Sequence, residues 1–477
     1  MFHFAANLKP FNVFRGKGNR RFDSYLLSID FFDEHEDLAR LIVNEDRILC
    51  ADNGNVDLIG DFIAVHAGRA RPLQQLRKAE EEMLGGKARP DQLTSLLANK
   101  FQQIANDIFS SAKDFVSHDH VVSVVKAQEN MRPTYIVGME DFTLVTLTAL
   151  NIEREYSNLP LEWYAQASQR AVDFAVRTKN GDFGPSQSQI FGGLHATDFD
   201  TAHQAGRLAG EAELDGIASG LVGALKDKSF VDFRIENGEV IELGKNIPRP
   251  YMRTLQIVAG FHAGYASITG RRPAFHGLGV GSPILLPLIS LLGDAQTCLV
   301  VDSTAPIKDA IASTIFLYVD TPAPRKLKAF RIAEFWLAEN DGWRCRCPYC
   351  RKFTKLHPPH LSKALDWWRG EGKRKLKAQD MHSPSPLAEF FPILSTPKDP
   401  TTRKQARMTR IAHNHWVLKR IESALRKHGN NLVSLQEFVE NAMEIYLSLA
   451  GSSPSWQAAA NVAWQIAKQT SLELPKG

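Results

Sequence analysis

The sequence contains few cysteines, no long apolar run and no internal repeat. Its 477 residues include only five cysteines, too few for a disulfide framework, which favours a reducing compartment such as the cytoplasm. No stretch approaches the roughly 18 apolar residues of a transmembrane helix, and the first residues lack the basic segment and apolar core of a secretory signal. We therefore expect a cytoplasmic protein that does not bind membranes. Its length allows two or three domains, or one large barrel with appendages.

The net charge of +4 is unevenly distributed along the chain. Between Arg344 and Lys427 there are 20 lysines and arginines against 6 acidic residues, and the remainder of the chain is acidic. A local excess of positive charge is typical of a surface that meets a polyanion such as nucleic acid. A solvated basic face without a partner is the alternative.

Three of the five cysteines, Cys345, Cys347 and Cys350, form a CxCxxC hexapeptide. A tight turn can direct three such thiolates at one ion, and a closed zinc site requires four nitrogen or sulfur ligands. We therefore predict a structural Zn²⁺ site that a histidine completes. Three unrelated reduced cysteines are the alternative interpretation. Cys50 and Cys298 lie in apolar runs, where burial in the core is the simplest role.

Short apolar segments that end in polar or glycine-rich turns recur across the first 320 residues, with helical patterns between several of them. Strands followed by helices imply a parallel sheet. Six or more such units within about 300 residues favour an α/β fold of the (β/α)8 TIM-barrel type over an open doubly wound sheet. The predicted strands are 47–51, 134–139, 188–191, 215–218, 274–278 and 297–301.

The composition changes after Pro322 and suggests three parts. We expect a catalytic barrel over 1–322, a zinc-binding basic subdomain that completes it over 323–430, and a C-terminal helical extension over 431–477. Within the second part, 382–402 is predicted to be a loop, and a helix is predicted from Arg407 to Lys427.

The cysteine hexapeptide and several strand ends together resemble the tRNA-guanine transglycosylase superfamily, over residues 45–430. The hexapeptide matches its CxCxxC, and Ile411-Ala412-His413-Asn414-His415-Trp416 is similar to its His-Asn element. The resemblance implies that His413 is the fourth zinc ligand. Three histidines nearer in sequence stay open as alternatives: His357, His360 and His382.

Two aspartates match the catalytic positions of that superfamily. The segments 275–283 and 301–308 are similar to its Leu-Met-Gly-Val-Gly-x-Pro turn and to the segment that carries the nucleophile, which implies that Asp302 is the nucleophile. The segment 48–55 resembles Asp-Ser-Gly-Gly-Phe-Gln, which implies that Asp52 is the general base, although Asn53 and Asn55 depart from the pattern. An aspartate that caps the next helix is the alternative for each.

The substrate-binding residues are predicted at further strand ends. Ile190-Phe191-Gly192-Gly193 resembles Val-Gln-Gly-Gly, with Phe191 in place of the base-reading glutamine, and 215–223 resembles a second glycine-rich segment. Glycine there would let backbone N–H groups approach the purine. Glu140 or Asp141 would accept from the base, unless these acids only begin a helix; Asn151 and Glu153 are alternatives. The predicted substrate-binding residues are Asn53, Glu140, Asp141, Gly192, Gly193, Ser219, Gly220 and Lys308.

The resemblance implies exchange of guanine in nucleic acid for a free 7-deazaguanine base such as preQ0, through a glycosyl intermediate on an aspartate. DNA is slightly favoured over tRNA as the polymer, and a homodimer or a partner subunit is possible. A non-catalytic zinc-containing nucleic-acid-binding or accessory subunit is the alternative. Since such a subunit is expected to lose at least one catalytic aspartate, the presence of Asp52 and Asp302 favours the enzyme. A barrel with an unrelated small-molecule activity is a third hypothesis.

Overall fold

Eight parallel strands close into a barrel in the computed structural model of the chain. Around the barrel the strands follow chain order, and an antiparallel pair of strands, Phe230–Glu236 and Glu239–Pro248, is inserted in sequence between the sixth and the seventh barrel strand. The strands are β1 Phe2–Asn7, β2 Ser24–Ser28, β3 Ile48–Asp52, β4 Tyr135–Val137, β5 Gln189–Gly193, β6 Gly216–Gly220, β7 Phe230–Glu236, β8 Glu239–Pro248, β9 Ala274–Leu278, β10 Leu299–Asp302, β11 Thr314–Leu317 and β12 Arg325–Lys328. The predicted (β/α)8 fold is therefore confirmed.

Helices surround this barrel and extend it. They are α1 Phe32–Asn44, α2 Val56–Leu84, α3 Asp91–Ala112, α4 His118–Asn130, α5 Phe142–Ala149, α6 Leu161–Lys179, α7 Phe199–Glu211, α8 Val222–Leu225, α9 Pro250–Thr269, α10 Leu285–Ser290, α11 Ala305–Ile311, α12 Pro348–Leu356, α13 Leu361–Trp367, α14 Pro400–His428, α15 Leu432–Ser448 and α16 Pro454–Glu473. The structure describes residues 1–7, 22–84, 91–150, 152, 161–226, 230–236, 239–294, 296–311, 314–317, 325–328, 345, 347–367, 369–370, 390–393, 398–448 and 454–475. None of the helices in these ranges is both long and apolar enough to cross a bilayer.

Alternation along the strands decides which side chains enter the barrel. Cys50, Tyr135, Phe191, Ala218 and Val300 pack together in the barrel interior, and their sequence neighbours face the outer helices. Because successive side chains point to opposite faces of a strand, positions two residues further on face inward at the carboxyl end of the barrel. Those positions are Asp52, Val137, Gly193, Gly220 and Asp302.

The outer layer includes a very close contact between α7 and α9. A Cβ atom placed on Gly264 of α9 would lie 1.9 Å from the backbone oxygen of His203, and one on Gly260 would lie 2.5 Å from that of Phe199. Glycine is required at these positions because the two helix backbones touch. Helix α9 also packs against the barrel, and its Phe261 and Tyr265 side chains are buried.

Helix α14 lies beside β1 and α11, in the ring position that follows the eighth barrel strand. Arg410 donates to the carbonyl oxygens of Ala310 and Ile393, each at 2.8 Å, and Asn414 donates to that of Pro306 at 3.1 Å. The bonds to Ala310 and Pro306 connect α14 to α11, whereas the bond to Ile393 lies within the predicted 323–430 part. A zinc-binding subdomain that completes the barrel stays a prediction. The boundaries at 322 and 430 stay predictions.

Several elements differ from the sequence prediction. The six predicted strands correspond to barrel strands, but β1 and β2 were not predicted. The predicted helix from Arg407 begins seven residues earlier, at Pro400, where Asp399 accepts from the N–H of Thr402 and caps it. Between β3 and β4 the chain forms α2, α3 and α4, and α2 and α3 share an apolar cluster around Phe62 and Phe101 with α5 and α6.

A pair of glycine substitutions tests the contact between α7 and α9. We expect Gly264→Ala to lower the free energy of unfolding by about 2 kcal/mol or more, because the new methyl group overlaps the backbone of α7. Gly68→Ala on α2 is the control, since a Cβ there meets nothing within 4 Å; it should raise stability by about 0.5–1 kcal/mol. Urea unfolding measures both, and equal effects would contradict the packing.

Candidate active site and metal centre

Three carboxyl groups meet at the carboxyl end of the barrel. Asp52 ends β3 and Asp302 ends β10, while Glu140 follows β4. Burial first, then the charges of Glu140 and Asp302, raise the pKa of Asp52 from its ordinary 3.8 to about 7. Two residues far apart in sequence, which the prediction assigned to catalysis, are therefore electrostatically coupled in one site.

Glu140 is held over the ends of β5 and β6 by a histidine. Its Oε2 lies 2.9 Å from Nε2 of His195, and both side chains are buried. A Cβ on Gly193 would lie 2.7 Å from Cγ of Glu140, and one on Gly220 would lie 2.9 Å from Cε1 of His195. These two glycines therefore leave the room that the Glu140–His195 pair occupies.

Asp302 is oriented by the neighbouring strand β9. The N–H of Gly279 donates to its Oδ1 at 3.1 Å, and Nε2 of His276 lies 3.4 Å from the same oxygen. Gly279 has a φ of +84°, a backbone conformation that favours glycine. The start of α11 is capped by Ser303, whose Oγ accepts from the N–H of Ala305 at 2.9 Å. Ser303 therefore makes a capping contact at the start of α11, and Asp302 bonds to β9.

Asn53 connects the loops that follow β3 and β4. Its side-chain amide donates to the carbonyl of Gly138 at 3.0 Å, and its oxygen accepts from the N–H of Asn55 at 3.2 Å. Both asparagines are buried. These bonds fix the loop that carries Asp52, and a contact between Asn53 and a substrate stays a prediction.

Asp141 and Lys308 lie apart from this cluster. Asp141 caps α5 by accepting from the N–H of Thr143 at 3.0 Å, and its other oxygen accepts from Arg170 at 2.6 Å. This is the helix-start role that was the alternative for this acid, so Glu140 is the carboxylate that faces the site. Lys308 is exposed on α11.

The remaining predicted glycine and serine positions divide between the two faces of their strands. The Cβ of a side chain at Gly192 would contact Leu214 at 2.8 Å, on the outer face of β5, whereas Gly193 faces Glu140. Ser219 lies between two inward positions of β6, so its side chain is on the outer face of the strand, where it is buried. Gly193 and Gly220 are therefore the members of this set beside the carboxylates.

Phe191 fills the barrel beneath the site. Its ring stacks on Tyr135 with the centroids 4.1 Å apart and the planes at 14°. A Cβ on Gly216 would lie 2.7 Å from this ring, so the glycine makes space for it. The phenyl group that replaces the superfamily's glutamine is thus a core residue, and any reading of a base falls to other side chains.

The four predicted metal ligands come together. The ligand atoms of Cys345, Cys347, Cys350 and His413 all lie within 4.8 Å of one another. Nδ1 of His413 is 3.4 Å from the sulfurs of Cys345 and Cys350, close to the roughly 3.6 Å expected between sulfur and nitrogen ligands of one tetrahedral zinc. Hydrogen bonds with Cys347 and Cys350 hold the pKa of the Cys345 thiol well below its ordinary 9.0, which favours the thiolate that binds metal. The cluster can hold a metal ion, and its donor set is compatible with zinc.

The alternative histidine ligands lie elsewhere. His357 ends α12 and its Nε2 bonds to Gln405 at 3.0 Å, while His360 is exposed. His382 lies outside the described residues, as do Asn151 and Glu153. Among the described histidines, His413 is the one that joins the cysteines.

The sequence prediction gave no role to two histidines beside the carboxyl groups, His195 and His276. A signal existed for His276, because it occupies an inward position of the predicted strand 274–278. For His195 the only sequence signal of a place in the site is its position two residues after the glycine pair that ends β5.

Single substitutions test the metal centre. We expect Cys347→Ala and His413→Ala to reduce bound zinc from about one ion per chain to near zero and to lower the unfolding temperature, because a closed site needs all four ligands. Inductively coupled plasma mass spectrometry of the purified variants measures the metal. Cys298→Ala and His360→Ala are the matched controls, and loss of zinc in either control would refute the ligand set.

The raised pKa of Asp52 predicts a pH-dependent stability. The pKa of Asp52 is higher in the folded than in the unfolded state, so the protonated carboxyl group favours folding. This contribution to stability is fully present below about pH 4 and is lost as the pH rises to about 7. Asp52→Asn removes the titration. The variant should therefore gain on the order of 2 kcal/mol relative to the wild type between pH 4.5 and pH 8. Chemical unfolding at both pH values measures this, and a pH-independent difference would contradict it.

No family model matches the chain, and no curated protein matches it.

Proposed function

We propose that this protein is a guanine transglycosylase, which replaces a guanine in nucleic acid by a free 7-deazaguanine base such as preQ0. The observation that carries the proposal is the pair of aspartates at the carboxyl ends of β3 and β10, coupled in one buried site, with the pKa of Asp52 at about 7. The metal cluster, of the kind that the superfamily has, supports it.

The first step in this proposal is attack by a carboxylate oxygen of Asp302 on C1′ of the target nucleotide. A bond forms between that oxygen and C1′ while the bond from C1′ to N9 of guanine breaks, and the bonding electrons leave with the base. The carboxylate traps a centre with oxocarbenium character and divides one difficult substitution into two easier ones. The N–H of Gly279 holds the carboxylate at the end of β10.

Asp52 manages the proton in both steps. With a pKa of about 7, a substantial fraction of Asp52 is protonated at neutral pH, so it can protonate the departing guanine. The resulting carboxylate then removes a proton from the incoming 7-deazaguanine as that base attacks C1′ and displaces Asp302. A pKa near the working pH suits a group that acts as acid and base in turn.

Glu140 is the group that reads the base. A carboxylate accepts from the N1–H and the 2-amino group of guanine, and 7-deazaguanine bases present the same edge. His195 fixes one oxygen of Glu140, and Gly193 and Gly220 keep the surroundings clear of further side chains. The two bases can therefore use one pocket in turn.

A structural zinc ion held by the cluster would join the cysteine hexapeptide to α14. This part of the chain has a basic surface, formed by exposed residues of α12 and the first half of α14: Arg351, Lys352, Lys355, Lys404 and Arg407. Such a surface suits the phosphates of a polymer. We favour DNA slightly over tRNA, in a cytoplasmic setting that keeps the cysteines reduced.

An exchange assay with labelled base tests the function. Purified protein with radiolabelled guanine or preQ0 should incorporate label into duplex DNA or tRNA offered side by side. Asp302→Ala should reduce the rate by roughly four orders of magnitude or more, because it removes the nucleophile, while binding of the polymer survives. Asp173→Ala, an exposed aspartate on α6, is the control.

The other outcomes of this assay have definite meanings. Full activity of Asp302→Ala would refute the mechanism. Incorporation into neither polymer by folded, zinc-containing wild type would refute the enzyme and favour an accessory subunit.

A further inference from the structure

His276 lies in the barrel interior, one layer beneath the proposed catalytic carboxylates. It pairs in register with Val300 of β10, two residues before Asp302. Its side chain is fully buried, and its Nε2 is 3.4 Å from Oδ1 of Asp302. The proposed reaction gives this imidazole no role, although it lies beside the proposed nucleophile.

The other nitrogen of His276 meets a hydroxyl group. Nδ1 lies 3.0 Å from the Tyr135 hydroxyl and 3.5 Å from the sulfur of Cys50. Tyr135 is itself fixed, because its ring stacks on Phe191. The ring planes of Tyr135 and His276 cross at 84°, so the hydroxyl lies at the imidazole edge.

The two contacts of His276 favour one tautomer. The Asp302 carboxylate, 3.4 Å from Nε2, can only accept, so it favours a proton on Nε2 and leaves Nδ1 to accept from the Tyr135 hydroxyl at 3.0 Å. In a neutral imidazole the ring proton is then on Nε2, the nitrogen that faces Asp302. Tyr135, His276 and Asp302 thus lie in a row from β4 to β10, in which Nε2 of His276 approaches Asp302 to 3.4 Å and has no hydrogen-bond partner among the described residues. Such a contact can tighten when the substrate binds.

We propose that His276 is a positioning residue for Asp302: a neutral imidazole whose Nε2–H, fixed by Tyr135, holds the carboxylate in the orientation required for attack on C1′. The inference rests on the proposed function. A neutral donor orients the carboxylate without forming an ion pair. An ion pair would stabilise the charged carboxylate before the reaction but not the uncharged ester that the reaction forms, and would therefore oppose the attack. Displacement of a reacting group by about 1 Å can cost a factor of about 100 in rate.

Paired substitutions at His276 separate positioning from packing. His276→Leu should lower kcat about 100-fold and leave KM for the incoming base unchanged, because the imidazole faces Asp302 and not the base. His276→Gln retains an N–H donor and should recover about tenfold of that loss. His262→Leu is the control: His262 is another fully buried histidine, against the outer side of β9, with its ring 5.2 Å from that of Phe275. It should leave kcat unchanged.

A spectroscopic measurement reads the tautomer without activity. Nitrogen-15 spectra of histidine-labelled protein should show His276, assigned by its loss in His276→Gln, protonated at Nε2 and not at Nδ1. In Tyr135→Phe that preference should weaken. An Nδ1–H tautomer or an imidazolium at pH 7.5 would overturn the inference.

The activity outcomes distinguish the two proposals. If the wild type exchanges base and His276→Leu does so at the same rate, or if glutamine restores nothing, the positioning role is refuted and the proposed function stands. If the wild type exchanges no base into either polymer, the proposed function is refuted and the positioning role with it.

Discussion

The burial of three carboxyl groups at one end of a closed barrel is the constraint on which the site depends. Two ionised carboxylates in a poorly hydrated space repel each other, and each loses its hydration. The protein offsets part of this cost with donors: the N–H of Gly279 for Asp302 and the His195 ring for Glu140. For Asp52, the backbone hydrogen bond from Asn53 does not offset burial and the neighbouring charges, so its pKa stays raised. The same imbalance that destabilises the fold thus gives Asp52 its proposed role in proton transfer.

Closure of the barrel depends on small inward residues as much as on apolar ones. Phe191 fits because β6 has Gly216 opposite its ring, and the Glu140–His195 pair fits because Gly193 and Gly220 present no side chain. A layer of large side chains lies below a layer of acids and glycines. The core and the site are therefore adjacent levels of one packing arrangement, and a larger residue at any of these three glycines would disturb both.

Much of the fold and the metal site could be predicted from the sequence, because those signals are local. Strands such as 274–278 are short apolar segments that end in glycine, and three cysteines in six residues limit the possible ligands of one ion. His413 was selected by resemblance over three nearer histidines, a choice that spacing alone could not make, since it depends on which turn of α14 faces the hexapeptide. β1 and β2 precede the region of resemblance and were not recognised.

The division of roles between Glu140 and Asp141 could not be predicted from two adjacent acids. One backbone turn directs Asp141 to the start of α5 and Glu140 to the barrel, and the sequence does not encode that turn in any pattern we recognised. The contacts of His195 with Glu140 and of His276 with Tyr135 likewise join residues that are more than 50 positions apart in the chain. The enzymatic activity and the nucleic-acid partner remain predictions from residues and geometry.

The pairing of β1 with β10 has a consequence for synthesis. β1 precedes the other barrel strands along the chain, yet one of its two partners ends at Asp302, and Ala5 lies opposite that aspartate in register. The barrel therefore cannot close until the whole segment from β1 to β10 has been made, and until then β1 has an unpaired edge of the kind that invites association with other chains. Helices α2 and α3 share an apolar cluster with α5 and α6 that is complete by Ala167, so these helices can collapse long before then. Nascent chains thus carry a formed helical subdomain beside an open sheet, and the last partner of the first strand brings the proposed nucleophile with it.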